Sequence, residues 1–253
     1  MIILTIDTDW APDHATIDVL ERVRALGVKA TVFFSTPNPV GYWPLLEAGC
    51  HPDLSRRVAD NISPSGRPHE ALALADKEHD NAVEKAEEEI LNGYRHSFPS
   101  AEAVRTHRFY WHSDLSRLMA KTGFKHDSSL ILPFHPNLKG FRVGRLTRWP
   151  VWSSDHLHLA RRLPLDRLAM PSWSEPGLKI FCFHVAYLYL NSADLGDFNM
   201  IKEGLSAEDS LPARDARPGV WNLFEALAAE IKKESQGCWL SEIPESQIVQ
   251  SAY

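Results

Sequence analysis

Two aspartates one residue apart, Asp7 and Asp9, close the first apolar run, "IILTIDTD". On an extended chain residues i and i+2 share a face, so the two carboxylates stand side by side and repel. A cation resolves that repulsion, because one carboxylate ligates it while the other stays available as a base. The plainer alternative is a solvated strand end followed by a helix cap at Asp13. "VRTHRF" repeats the spacing with Arg105 and His107. A buried arginine needs a carboxylate partner, and Asp7 is the natural candidate, held in place by the pair. Solvated charges on an edge strand are the alternative there. His51, in "AGCHPD", precedes Pro52, which drives it toward the extended geometry of a ligand at a strand end. His184 emerges from the apolar run "KIFCFHV". A lone histidine is more often a hydrogen-bonded core or surface residue. Imidazoles recurring at strand ends around an acidic pair point instead to metal and acid–base chemistry.

Weaker candidates surround these. His69 in "SGRPHEAL" is either a ligand or a surface residue, and His126, Asp127, Trp152 and Asp155 are placed to line the same mouth. His79 and His96 fall in charged, exposed segments. There is no Gly-rich phosphate loop, Gly-x-Ser-x-Gly elbow or Cys-x-x-Cys pair.

The elements that must position these residues alternate between strand and helix. Strands are expected at 2–7, 29–35, 103–109, 145–152 and 178–185, with a last one near 238–243. Helices are expected at 14–27, with Gly27 as its stop, at 42–49 (short), at 76–93, at 113–123 with Ser113 as N-cap, and at 219–235. Such alternation means parallel strands joined by crossover helices, whose functional residues gather at the strands' C-terminal ends. The 253 residues, 44% hydrophobic and 24% charged, suit one domain spanning 1–253 with a sizeable core. A formal net charge of −6 argues against a nucleic-acid partner, and no apolar run reaches the roughly 20 residues of a membrane span. The start carries no basic, apolar leader, and three scattered cysteines read as reduced thiols, so a cytoplasmic location is expected.

In this order the residues resemble the polysaccharide deacetylase superfamily, carbohydrate esterase family 4. "LTIDTDW" is similar to its Thr-Phe-Asp-Asp-Gly motif, "KATVFFS" to its Ala-Thr-Phe-Phe strand, and "AGCHPD" to its metal-histidine motif. "VRTH" is similar to its arginine motif, and "FCFHVAYLYLN" to the late strand with the catalytic histidine. The resemblance spans roughly residues 2 to 191 and is strongest to a divergent branch associated with surface-polysaccharide biosynthesis. It implies an α/β fold, a deformed (β/α) barrel. It also implies one divalent metal ion, with zinc first and iron, cobalt, nickel or manganese open. Asp9, His51 and His107 become the metal ligands. Position 55 is Ser, so the family's His-x-x-x-His is absent; His107 supplies the second histidine, with His69 in reserve.

The implied reaction removes an acetyl group from an N-acetylated sugar or saccharide intermediate. Metal-bound water attacks the amide, Asp7 is the general base, Arg105 orients it, and His184 is the general acid. Trp10, Phe109, Tyr110, Trp111, Trp149 and Trp152 are candidates for a sugar-stacking platform. A cyclic amide or ureide hydrolase and a catalytically inactive sugar-binding homologue are the competing readings. Oligomeric state is left open.

Overall fold

A computed structural model describes residues 1–9, 11–35, 46–50, 52, 72–196, 214–233 and 237–249. The run "IILTID" forms β1 (Ile2–Asp7), buried along its whole length because it faces two cores. Ile2, Leu4 and Ile6 pack among the helices. Ile3 points the other way, into a cluster with Phe33, Ala103, Trp149, Val151, Ile180 and Cys182. A strand buried on both faces reads as a continuous apolar run, which is what the sequence carries here. Thr5 and Asp7 follow Ile3 on the inner face.

The remaining strands are β2 (Ala30–Phe34), β3 (Leu46–Cys50), β4 (Ala103–Val104), β5 (His126–Asp127), β6 (Phe141–Val143), β7 (Leu146–Arg148), β8 (Ser153–Ser154) and β9 (Lys179–His184). They order as β6-β7-β5-β4-β3-β2-β1-β9-β8, parallel throughout except for the antiparallel β6–β7 pair. β7 and β8 are the two ends of one extended run. Its Trp149 and Val151 N–H groups donate to Asp127 O and Leu130 O, both at 2.7 Å; Trp152 N–H then donates to Ile180 O at 2.8 Å. The run pairs with β5 at its start and with β9 at its end, so the sheet returns on itself. This is the expected deformed (β/α) barrel.

Helices coat the outside: α1 (Asp13–Leu26), α2 (Leu72–Ser97), α3 (Leu115–Lys121), α4 (Asp155–Arg161), α5 (Val185–Leu190) and α6 (Val220–Lys233). α1 buries Ala15, Thr16, Val19, Leu20 and Val23 at helical spacing and stops at Gly27, whose φ of 64° suits glycine. Pro12 is its N-cap and Asp13 its first residue, where a carboxylate complements the helix dipole.

Several expectations are corrected. Leu46–Cys50 is a strand rather than part of a helix, because pairing with Ala30–Phe34 outweighs the helix propensity of Leu, Glu and Ala. The strand expected to run to Phe109 ends at Val104, and His107–Phe109 is a 3₁₀ turn. α3 starts at Leu115 with Asp114, not Ser113, at its N-cap. Leu240–Glu242 is a 3₁₀ turn where a last strand was expected. No helix among the described residues is long and apolar enough to cross a membrane.

Candidate active site

Parallel register sets Asp7 of β1 level with Phe33 of β2 and His184 of β9. The inner-face residues at these strand ends therefore meet at one end of the barrel. Asp7 Oδ1 accepts from Arg105 Nη1 at 2.7 Å, with both side chains buried. Arg105 also donates from Nη1 to Thr5 Oγ1 at 2.8 Å, from Nη2 to Ser128 Oγ at 2.8 Å, and from Nε to Ser128 O at 3.2 Å. Its guanidinium lies over the Phe33 ring, 4.3 Å from the centroid. That ring needs Gly49 beside it, since a Cβ at Gly49 would stand 2.6 Å from it. A fully buried cation is tolerable only with its donors satisfied, and here the carboxylate, hydroxyl and carbonyl acceptors do so.

Asp9 and His107 form the second pair. Asp9 Oδ2 lies 2.8 Å from His107 Nδ1, with both residues buried. The His107 backbone N–H donates to Pro52 O at 3.1 Å, which ties the turn to the residue following His51. His51 itself, like His69 and Trp10, lies outside the described residues. A carboxylate and an imidazole buried face to face offer the nitrogen and oxygen donors of a divalent cation, so these two residues fit such an ion.

The third arrangement centres on His184. Its backbone N–H donates to Asp155 Oδ2, and its Nδ1 lies against Asp155 Oδ1, each at 2.6 Å. Burial lowers the His184 pKa, but the Asp155 charge and hydrogen bond outweigh it and Asp7 and Asp9 add, taking it up to about 9. Asp155 is buried and opens α4, with Ser154 as N-cap accepting from Leu157 N–H. Asp155 stands among the expected mouth residues, and its pairing with His184 is new from the structure. The signal was "SSD", a helix start directly after strand.

The weaker candidates divide. Asp127 accepts from Arg148 Nε at 2.6 Å, and His126 Nδ1 accepts from Trp149 Nε1 at 3.0 Å, so both serve packing. Trp149 and Trp152 are buried core, and Phe109 and Tyr110 are half-buried. Trp111, 45% exposed, presents a ring to solvent while Arg148 packs over it at 4.6 Å. Its turn is strained: Arg108 and Phe109 have φ of 58° and 55°, costing roughly 1–3 kcal/mol each for non-glycine residues. Sequence reasoning missed the brace. Glu87 of α2, fully buried, lies 2.9 Å from His112 Nε2 and accepts from Tyr110 OH at 3.3 Å. Burial raises the Glu87 pKa, and the bonds from His112 and Tyr110 oppose that. Glu87→Ala strands both donors and is expected to cost about 1–3 kcal/mol of stability, measured by denaturant melts. An unchanged midpoint would show that the turn holds itself.

A family model described as WbmS-like polysaccharide deacetylase matches residues 4–202. Among solved structures, a Bordetella bronchiseptica protein assigned as a polysaccharide deacetylase involved in O-antigen biosynthesis superposes with a TM-score of 0.72. It is 22% identical, and the match covers 90% of each chain. At that identity the likeness is one of fold. A Mycobacterium smegmatis protein with a polysaccharide deacetylase assignment gives a TM-score of 0.44 at 17% identity, covering 96% of this chain and 94% of its own. No curated protein matches the chain.

Proposed function

The chain belongs to the WbmS-like polysaccharide deacetylase family, and from that premise we propose that it hydrolyses the acetamide of an N-acetylated saccharide. The observation that carries the reading is the convergence of Asp7, held by Arg105, with His184, held by Asp155, at level positions of neighbouring strands. Asp7 takes a proton from the attacking water as its oxygen bonds to the acetamide carbon. His184 then gives a proton to the departing nitrogen, since an amine leaves poorly unless protonated; the C–N bond breaks and acetate and amine result. Arg105 fixes the direction of the Asp7 carboxylate, and Asp155 fixes the ring of His184. Trp111 supplies an apolar ring for a sugar face.

Asp9 and His107, with His51, would hold a divalent cation, which when bound supplies Lewis acidity at the carbonyl and acidifies water. The test is acetate release from N-acetylated saccharides alongside metal content by mass spectrometry, wild type beside His107→Ala. Stoichiometric metal and acetate release in the wild type, both lost in the variant, are expected. Metal kept in the variant would move the ligand role to His69. A metal-free wild type, even after incubation with zinc, manganese, iron, cobalt or nickel, would leave the sugar-binding reading.

A pH dependence follows from His184. With its pKa raised from 6.5 to about 9, the acid form persists above neutrality and is lost as pH rises through about 9. Asp155→Asn removes the charge that raises it, so the alkaline limb of kcat/KM is expected to move to lower pH. A limb that stays in place would remove His184 from the proton-donor role.

A further inference from the structure

The proton transfers described above use Asp7 and His184 but leave idle the buried thiol between them. Cys182 stands two residues before His184 on β9, level with Thr5, so it shares the inner face. Its Sγ donates to Asp7 Oδ2 at 3.3 Å, while Arg105 holds the other oxygen, Oδ1. Burial and the Asp7 charge raise the thiol's pKa well above its usual value, so without an ion it is a neutral donor. One ligand atom from each of Asp7, Cys182 and His184 lies within 4.8 Å of the others. His184 would contribute one ring nitrogen, and its Nδ1 lies against Asp155 Oδ1. One thiolate, one imidazole and one carboxylate form a donor set for zinc or cadmium rather than magnesium or calcium. The Asp9–His107 pair lacks sulfur.

We propose that Asp7, Cys182 and His184 form a second cation site that takes a thiophilic divalent ion and thereby inhibits the enzyme. On entry the ion bonds to Sγ, to the imidazole nitrogen and to Oδ2. The Sγ–H proton and the proton on that nitrogen leave to solvent, with no change of oxidation state. Coordination deprotonates a thiol outright, so the neutral resting state is no obstacle. The bound ion occupies both the group that accepts a proton and the group that donates one. Inhibition therefore rests on the roles proposed for Asp7 and His184; binding does not.

The experiment is a cadmium titration of the purified chain, followed by the ultraviolet thiolate-to-cadmium charge-transfer band and, in parallel, by acetate release. Wild type, Cys50→Ser and Cys238→Ser are expected to show a saturable band, and Cys182→Ser to lose it. Acetate release should fall with the same midpoint as the band grows. His184→Gln should shift that midpoint to higher cadmium, which guards against a Cys182→Ser variant that merely folds poorly. A band that survives in Cys182→Ser overturns the site. Cadmium bound through Cys182 with acetate release intact overturns the inhibition, and with it the proton roles of Asp7 and His184. If no acetate is released before cadmium is added, the deacetylase reading fails, while the band still decides whether the site exists.

Discussion

Asp7→Asn is expected to slow acetate release by about 10²–10⁴-fold, the usual cost of removing a positioned proton-transfer group. Asparagine matches the carboxylate in shape, and its amide oxygen can still accept from Arg105 Nη1. What it lacks is the charge and the basicity. The variant is not silent in stability either, because Arg105 is fully buried and keeps its positive charge. A buried ion stripped of its partner is costly, so the melting midpoint should fall together with the rate. The two effects separate if kcat is read at a temperature where circular dichroism shows the variant folded. Full activity under those conditions would end Asp7's candidacy as the base.

Arg105→Met is expected to be the most destabilising single change in the site, by about 3–5 kcal/mol. Methionine fills much of the aliphatic stem's volume but leaves the guanidinium's place over Phe33 vacant and takes the arginine donor from Asp7 Oδ1, Thr5 Oγ1 and Ser128 Oγ. Combining it with Asp7→Asn removes both charges together. The double variant should then be less destabilised than the sum of the singles, because neither leaves a buried charge behind. Strict additivity in denaturant melts would show that the pair is not coupled. Activity is expected to remain low in both, since the carboxylate proposed to accept the proton is either misplaced or gone.

The sequence was most legible where a polar residue interrupts apolar strand. Asp7, Arg105 and His184 each follow such material, and the parallel register then makes them neighbours. Asp9 and His107 also pair, but from turns beyond β1 and β4 rather than from the extended i, i+2 spacing. Asp155 was harder, since its partner lies across β8 and β9, and β8 is too short to show a period. β5 is as short and left no pattern of its own. Glu87 is one of several glutamates on a charged helix, and only the turn packed against it singles it out. The strand at Leu46–Cys50 was hidden by residues that individually favour helix. There strand pairing outweighs local preference.

The pairing of β1 with β9 also constrains when the site comes into being. β1 leaves the ribosome long before β9, yet β9 is one of its two neighbours, and Asp7 and Cys182 lie 175 residues apart. Until β9 arrives, that edge of "IILTID" is an unpaired apolar template, the kind of edge that invites association between nascent chains. Pairing at such separation is slow because the loop entropy must be spent before the contact forms. Asp7 therefore meets His184 only when β9 docks and the seam at β8 is sewn. Activity then reports the docking of β9, and a chain stalled before it retains Asp7 and Arg105 without His184 beside them.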